Sequence, residues 1–288
     1  MTVSENPVEV ICLGGAHIDV IAQASASIII ASSNPGTVST ALGGVALNVA
    51  RALASIGHRT ALIGGLGQDR EAETLIETLT AEGIDLSQMA RSAQHATGRY
   101  IAIEQADGEL SVAVSDTAAL DHLQEAHFQN ALQAFPQASI LFADTNLSAP
   151  ILNVLATQPN RPKLAVDTVS VAKSRRLQGL IGQLDIIFCN VSEAGALLAQ
   201  DFSSSLEAAQ AMADNDAQST VVTNGHQPVA VFDGKGCTEL PVPPSSVTSV
   251  TGAGDSLVAG TLSALLSGDT LCDAAIAGIE AARRKISQ

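Results

Sequence analysis

The chain has 288 residues, 46% of them hydrophobic, and its 29 acidic and 14 basic residues give a formal net charge of −15. A surface of this sign repels nucleic acid backbones and anionic membranes, and an aromatic content of 2% leaves few rings for stacking on single strands. These values argue against binding to a polymer and favour a small neutral substrate.

The spacing of the cysteines indicates where the protein is expected to reside. Cys12, Cys189, Cys237 and Cys272 lie far apart and show no paired spacing, which is typical of reduced thiols in a cytosol. Small residues interrupt every apolar stretch, and the N-terminus carries no basic segment followed by a long apolar one. The sequence therefore predicts a cytoplasmic protein without a secretory signal.

Short β-rich runs alternate with helical patterns nearly throughout the chain. The predicted strands are 8–13, 60–64, 139–143, 163–167, 185–189 and 219–224, and the predicted helices include 46–56, 70–82 and 271–286. This alternation implies right-handed crossovers and a mostly parallel sheet covered on both faces. We expect one α/β domain spanning residues 1–288.

Two segments, at about 18–40 and 98–116, break this alternation. The first is apolar and rich in serine with no helical period, and the second contains a hairpin pattern that turns at Asp107-Gly108. We predict that these insertions form a small antiparallel β lid beside the main sheet. The uncovered edges of such a lid would invite pairing with a second copy, which makes a homodimer through the lid an open expectation.

The segment Val250–Gly260, which reads V-T-G-A-G-D-S-L-V-A-G, carries the strongest functional signal. Gly252 and Gly254 allow close approach of the backbone to a ligand, and the first N–H groups of the following helix attract an anion. Asp255 would repel that anion, unless it takes a proton from a hydroxyl that attacks a phosphoryl group. An ordinary turn into a helix with an acidic first turn explains the same letters, so the motif alone leaves both interpretations open.

The chain resembles the PfkB (ribokinase-like) family of small-molecule kinases along nearly its whole length. Gly43–Asn48 and Leu53–Gly57 match the family's double glycine, Asn and Leu-Ala-x-Ile/Leu-Gly helix end, and Thr251–Asp255 match its T-G-A-G-D motif. The two patterns occur in the family's order, roughly two hundred residues apart. The resemblance implies a ribokinase-like three-layer α/β/α sandwich with a mostly parallel central sheet and a β lid, and an ATP-dependent kinase.

The resemblance also implies the catalytic groups. Asp255 stands where the family places its catalytic base, and the N–H groups of Gly252, Ala253 and Gly254 would take up charge on the transferred phosphoryl group. The position of Asp255 beside a helix N-terminus predicts a lowered pKa. Asp255 would then be a weak base, and catalysis would rest mainly on positioning and charge neutralisation.

The substrate-binding residues implied by the resemblance are Asp19, Gly43, Gly44, Asn48, Asn146 and Asp116. A carboxylate such as Asp19 can accept from two neighbouring ribose hydroxyls, although a turn residue at a strand end would look the same. Asn48 can both donate and accept, and could equally cap its own helix. Asn146 stands where ribokinases often have a carboxylate, which favours a nucleoside kinase.

The resemblance assigns the nucleotide and its metal to another set of residues: Asn190, Thr223, Gly225 and Thr251 for ATP, and Glu193 with Asn190 for Mg²⁺. The N-x-x-E pattern of Asn190–Glu193 also fits a plain helix start with Ser192 as N-cap. Ser249 replaces an Asp that helps relatives hold a monovalent cation, so K⁺ activation is left open. Relatives usually continue beyond the helix 271–286 with a further element beside the adenine pocket, which leaves donor choice open.

Within the family, Asp167–Lys173 (D-T-V-S-V-A-K) resembles the D-P-V-S-x-x-K segment of pseudouridine kinases. Arg99 and Lys173 are the basic residues expected near substrate or phosphate. The sequence therefore predicts a kinase that transfers phosphate from ATP to the 5′-hydroxyl of pseudouridine. The alternatives are a ribokinase or another nucleoside or sugar kinase, and a nucleoside-binding paralogue that has lost turnover.

Overall fold

The computed structural model describes residues 7–244 and 252–287. Its strands are β1 (Val10–Leu13), β2 (His17–Ala24), β3 (Gly36–Gly43), β4 (Thr60–Ile63), β5 (Gly65–Leu66), β6 (Ala90–Arg91), β7 (Arg99–Glu104), β8 (Leu110–Asp116), β9 (Ile140–Asp144), β10 (Lys163–Asp167), β11 (Ile186–Asn190), β12 (Thr220–Asn224), β13 (Gln227–Phe232) and β14 (Cys237–Leu240). Its helices are α1 (Val45–Ser55), α2 (Arg70–Ala81), α3 (Ala118–Asp121), α4 (Glu125–Gln133), α5 (Ala149–Thr157), α6 (Val171–Ser174), α7 (Val191–Leu198), α8 (Ser205–Asp214), α9 (Ala253–Leu266) and α10 (Leu271–Ile286). The predicted strands and helices are confirmed, with ends that move by at most two residues.

The main sheet has the strand order β14-β13-β12-β11-β10-β9-β1-β4. All pairs from β12 to β4 are parallel, and only β13 and β14 add antiparallel pairs at one edge. The parallel strands are buried apolar runs, as expected where helices cover both faces. The predicted α/β class is therefore confirmed. Among the described residues, no helix is both long and apolar enough to cross a membrane.

Alternate side chains of each parallel strand enter two different cores. In β1, Val10 and Cys12 pack into a cluster with α1, α2, α9 and α10. Ile11 and Leu13 pack on the opposite face, in a cluster that includes residues of α4 and α5. This period of two explains how a short apolar strand fixes helices on both sides of the sheet. The result is the predicted three-layer sandwich.

The two insertions form a second sheet with the order β3-β2-β7-β8. The β2–β3 and β7–β8 pairs are antiparallel hairpins, and β2 pairs in parallel with β7 to join them. The hairpin turn is at Gly108, whose φ of 86° is in the left-handed region that favours glycine. The lid is thus built from the insertions that the sequence indicated.

Polar residues stand at the carboxyl ends of neighbouring parallel strands. β9 ends at Asp144, β10 at Asp167 and β11 at Asn190. In open α/β sheets, ligands bind at this edge of the sheet. The helix α9 begins near the same edge, since Asp255 in its first turn accepts a hydrogen bond from Asn48 of α1.

Candidate active site

A cleft of about 160 Å³ lies between the carboxyl ends of β10, β11 and β12 and the N-terminus of α9. Its lining includes Asp167, Glu193, Thr223, Gly254 and Asp255. Residues predicted to act on phosphate, metal and nucleotide therefore come together in one place. They arrive from segments up to about ninety positions apart in the sequence, as is common for sites at this edge of a parallel sheet.

Asp255 is the third residue of α9, which Gly252 caps with a φ of 76°. The Asn48 side-chain amide donates to Asp255 Oδ2 at 2.8 Å. Burial raises the pKa of Asp255 to about 6, the hydrogen bond from Asn48 opposes this rise, and the carboxylates of Asp144 and Asp19 add to it. The expected lowering of this pKa is wrong, because desolvation of the side chain outweighs the helix N-terminus. A pKa near 6 makes Asp255 a stronger base than the sequence suggested.

The backbone around Gly252 and Gly254 has the form expected of an anion cradle. Gly252 adopts the left-handed conformation that precedes the helix, and a Cβ on Gly254 would meet none of the described residues within 4 Å. The first N–H groups of an α-helix have no partner within the helix and carry partial positive charge. Thr251 and Ser249, which sequence reasoning linked to nucleotide and K⁺, lie outside the described residues.

Asp144 is a fully buried carboxylate that sequence reasoning did not assign to the site. Its Oδ2 accepts from the N–H groups of Gly15 at 3.0 Å and Ala46 at 2.9 Å, and its Oδ1 accepts from the N–H of Asn146 at 2.9 Å. One side chain therefore ties together the loop after β1, the start of α1 and the loop after β9. The sequence signal for Asp144 is the triplet D-T-N (Asp144–Asn146) at the end of a predicted strand. This triplet does not reveal which backbone N–H groups the carboxylate accepts from.

The sugar-side residues converge where the chain passes from β1 of the main sheet to β2 of the lid. A Cβ built on Gly43 would lie 2.2 Å from Asp19 Oδ1, and one built on Gly44 would lie 2.2 Å from the carbonyl oxygen of Gly15. Only glycine allows both approaches, which explains the double glycine physically. His17 Nδ1 lies 2.9 Å from Asp19 Oδ1. The contact is poorly aligned, so neither buried atom has a hydrogen-bond partner among the described residues.

Asn146 is buried beside this pocket and is held by two basic residues. Lys173, on α6, donates to Asn146 Oδ1, which leaves the Nδ2 group as the donor of this amide. Arg176 donates to the backbone carbonyls of Thr145, Asn146 and Leu147 at 2.8–3.1 Å. Burial lowers the pKa of Lys173, and the neighbouring Asp144 opposes that shift. The expectation that Lys173 lies near the substrate residues agrees with this placement.

Asn190 and Glu193 form a reciprocal cap at the start of α7. The Glu193 N–H donates to Asn190 Oδ1 at 2.9 Å, and the Asn190 N–H donates to Glu193 Oε2 at 2.9 Å. The N-cap is therefore Asn190 and not Ser192, because the Asn side chain reaches the third residue of the helix. Thr168 also donates to Glu193 Oε2, at 2.6 Å. Glu193 lines the cleft, and its Oε1 atom is left to bind a ligand there.

Negative charge accumulates at this end of the cleft. The pKa of Asp167 is raised well above its ordinary value, first by burial and then by the carboxylates of Glu193 and Asp255. A divalent cation would relieve this repulsion, so the residues fit Mg²⁺. No three His, Cys, Asp or Glu side chains of the described residues converge to hold a metal by themselves. The arrangement instead suits Mg²⁺ bound through one or two carboxylates, water and substrate phosphates.

The predicted nucleotide-side residues lie at the end of β12. Thr223 lines the cleft, and Gly225 follows with a φ of 58°. The pairing of β12 with β13 shifts register between Val222 and Asn224, which turns the chain at this point. Thr223 is thus in the cleft, whereas Gly225 shapes the turn beside it.

The structure does not bring Asp116 or Arg99 to the site. In the strand register, Asp116 on β8 lies opposite Arg99 on β7, and Arg99 lies opposite Ile18 on β2. All three side chains are therefore on the lid face opposite Asp19. Asp116 accepts from the N–H of Ala118 at 3.1 Å, and Arg99 pairs with Glu71. The expectations for both residues are corrected here, because alternation along a strand sends neighbouring side chains to opposite faces.

The fold and the cleft together define the class of small-molecule kinases, which transfer a phosphoryl group to a hydroxyl. Within that class, the family described as pfkB family carbohydrate kinases matches residues 8–288, and the chain belongs to this family. The predicted family and the predicted phosphotransferase activity on an alcohol group are both confirmed.

Named relatives agree with this assignment. An uncharacterized sugar kinase of Escherichia coli K12 is 26% identical over 92% of the chain and 74% of its own length. The pseudouridine kinase of the same organism is 26% identical over 90% of the chain and 84% of its own length. A carbohydrate kinase from Agrobacterium tumefaciens has a TM-score of 0.83 at 28% identity. The match covers 96% of the present chain and 89% of the Agrobacterium protein. The ribokinase of Arabidopsis thaliana complexed with ribose and ATP has a TM-score of 0.85 at 20% identity, with coverages of 98% and 93%, and supports the fold.

Proposed function

We propose that the protein phosphorylates the 5′-hydroxyl of pseudouridine, converting pseudouridine and ATP to pseudouridine 5′-phosphate and ADP. The observation that carries this proposal is the Lys173–Asn146 contact, with Asn146 against Gly15 and Gly15 against Gly44 of the double glycine. Lys173 belongs to the segment that resembles pseudouridine kinases, and a pseudouridine kinase is among the relatives that cover most of the chain. Lys173 occupies the amide oxygen of Asn146, so this side chain offers an N–H donor to an oxygen of the substrate.

Asp255 carries the proton transfer in this proposal. Asn48 holds one oxygen of the carboxylate at 2.8 Å, and the other oxygen would accept the proton of the acceptor hydroxyl. As the bond to phosphorus forms, the hydroxyl proton passes to Asp255, and the bond between the transferred phosphorus and the leaving oxygen of the donor breaks. The N–H groups at the start of α9 stabilise the charge on the transferred group. Phosphoryl transfer depends mainly on such positioning and charge stabilisation.

The sugar and base would be held from the lid side. Asp19 and His17 present buried polar atoms that have no hydrogen-bond partner among the described residues, and ribose hydroxyls would satisfy them. Tyr100 pairs directly with Asp19 across β2 and β7 and so lies on the same face. Burial, followed by the charge of Asp19, raises the pKa of Tyr100. Its ring offers a surface for a pyrimidine base.

ATP would lie along the cleft between Asn190, Thr223 and the start of α9. Mg²⁺ would be held by Glu193 with Asn190 nearby, and when bound it would neutralise charge on the phosphates. A cation at this place would reduce the electrostatic repulsion among the carboxylates of Asp167, Glu193 and Asp255.

A panel of acceptors tests the proposed substrate. ADP release with Mg-ATP is measured over pseudouridine, uridine, adenosine, guanosine, ribose and fructose. We expect the highest kcat/KM with pseudouridine. Preferred turnover of ribose or another nucleoside would overturn the substrate assignment while leaving a kinase. Tight binding of one acceptor without turnover of any would identify a binding paralogue instead.

We also propose that two copies associate through the outer face of the lid, the face opposite Asp19. Cross-strand pairing places these side chains there: Val20, Ala22, Val38, Thr40, Ile101, Ile103, Val112 and Val114. Val38 is 69% exposed and Val114 is 64% exposed. Arg99 and Asp116 are on the same face at one end of the lid, where Arg99 forms an ion pair with Glu71. The eight residues named above carry no charge on a chain of net charge −15, so two copies repel each other least at that part of the face.

Light scattering after size exclusion measures this association. We expect a dimer for the wild type and a monomer for Val114→Glu, because a charge on the face would be desolvated in the contact. Ile30→Glu is the matched control, since Ile30 is 90% exposed in the β2–β3 connection, and it should remain a dimer. A monomeric wild type would contradict the proposal.

A further inference from the structure

The helices α9 and α10 pack closely enough to fix their register. A Cβ built on Gly260 would lie 2.8 Å from Ala281 Cβ, and one built on Gly278 would lie 2.2 Å from Thr261 Oγ1 and 2.5 Å from the Leu257 carbonyl oxygen. Small residues at both crossing points allow this approach and exclude a slipped arrangement. The helices run in opposite directions here, so the last turn of α10 lies beside the first turn of α9.

This register places Lys285 against the anion cradle. Lys285 follows Ala281 by four residues and therefore extends along the same face of α10. Its Cε lies 3.4 Å from the position that a Cβ on Gly252 would occupy. Its charge also lowers the pKa of Asp255, against the larger effect of burial. Sequence reasoning missed Lys285 because thirty residues separate it from Asp255 along the chain.

We propose that the Lys285 ammonium group binds the phosphoryl group that is transferred at the start of α9. This inference rests on the proposed kinase function and adds a residue to it. Carboxylates approach Asp255 from three strands, Asp19 on β2, Asp144 on β9 and Asp167 on β10. A donor phosphate entering this negative field needs positive charge at the point of transfer, and an ammonium group serves as a point charge for phosphate. The long side chain lets Lys285 follow the phosphate as it moves.

Comparative binding of Mg-ATP and Mg-ADP without acceptor tests this proposal. If Lys285 contacts the terminal phosphate, Lys285→Met weakens Mg-ATP binding by roughly tenfold and Mg-ADP binding much less. Lys285→Arg retains most of the preference because the positive charge remains. Arg284→Met is the matched control. Arg284 is the adjacent residue, its side chain is 72% exposed, and it pairs with Glu280, so both affinities should stay unchanged.

Equal affinities of wild type and Lys285→Met for Mg-ATP, or equal losses for both nucleotides, would overturn the proposal. The acid limb of the kcat profile supplies a second readout, which a purely structural role would not move. Loss of the Lys285 cation should shift this limb to higher pH, because Asp255 then ionises less readily. The binding comparison needs no acceptor. A failure to phosphorylate pseudouridine would therefore overturn the substrate assignment, and the result of the Lys285 test could still be interpreted.

Discussion

Replacing Asp255 with asparagine should lower kcat about a thousandfold while leaving the binding of the acceptor largely intact. The amide keeps the shape of the side chain and can still contact Asn48, but it cannot take a proton from the hydroxyl. Steady-state kinetics with the preferred acceptor, together with calorimetric binding, measure the two effects separately. Asp273→Asn is the matched control, because Asp273 occupies the first turn of the neighbouring helix α10 and should retain wild-type kcat. Retention of activity by Asp255→Asn would show that another group takes the proton.

The same carboxylate sets the expected pH dependence. Asp255 acts as a base only when ionised, and its pKa is raised to about 6. The kcat of the wild type should therefore fall as the pH drops through about 6. If kcat instead fell only near the ordinary pKa of an exposed aspartate, this result would contradict the burial of Asp255 in the working enzyme.

The stability effect of Asp255→Asn has the opposite sign to its effect on activity. The pKa of Asp255 is higher in the folded protein than its ordinary value of 3.8, so ionisation disfavours the folded state more strongly as the pH rises from 3.8 towards 6. Above pH 6 this penalty is fully present. Asp255→Asn removes it, and the thermal midpoint at pH 8 should not fall.

The second large effect is expected at Asp144, where asparagine should lower the free energy of unfolding by about 2–4 kcal/mol. The fully buried carboxylate accepts three backbone N–H groups, from Gly15, Ala46 and Asn146. An asparagine has one acceptor oxygen, so its amide N–H₂ would face at least one N–H donor. Urea denaturation measures this loss of stability. The value of kcat/KM should fall as well, because the three backbone segments that Asp144 holds position Asn48 and the sugar pocket.

Asp167→Asn is the control for Asp144→Asn. The two aspartates pair directly across β9 and β10, yet the pKa of Asp167 is raised well above its ordinary value by burial and neighbouring carboxylates. Ionised Asp167 is thus disfavoured in the fold, and its neutral amide should not lower the free energy of unfolding. Equal destabilisation by the two substitutions would contradict this difference.

Much of the fold was predictable because it depends on local patterns. The helix 271–286 and the strand 163–167 follow from periodicity and occur at the predicted bounds. The double glycine was predictable as a motif, but its cause was not. The contact of Gly43 with Asp19 joins residues 24 positions apart, and that of Gly44 with Gly15 joins residues 29 apart. Such approaches follow from the crossing of segments, which no local pattern encodes.

The errors have the same physical origin. The pKa of Asp255 was expected to fall because the helix N-terminus is visible in the sequence, whereas burial and the charges of Asp144 and Asp19 are not. Asp116 was expected in the pocket, but a shift of one residue along a strand moves a side chain to the other face. Lys285 was missed because the packing of α9 on α10 decides its position.

The central claim is that this site transfers phosphate from ATP to the 5′-hydroxyl of pseudouridine. Phosphorus NMR of the product, formed from Mg-ATP and pseudouridine, tests it most directly. We predict a new phosphomonoester signal that couples to the two protons on C5′ and appears in step with ADP. Release of inorganic phosphate alone, or an ester coupled to a ring proton of the ribose, would contradict the claim.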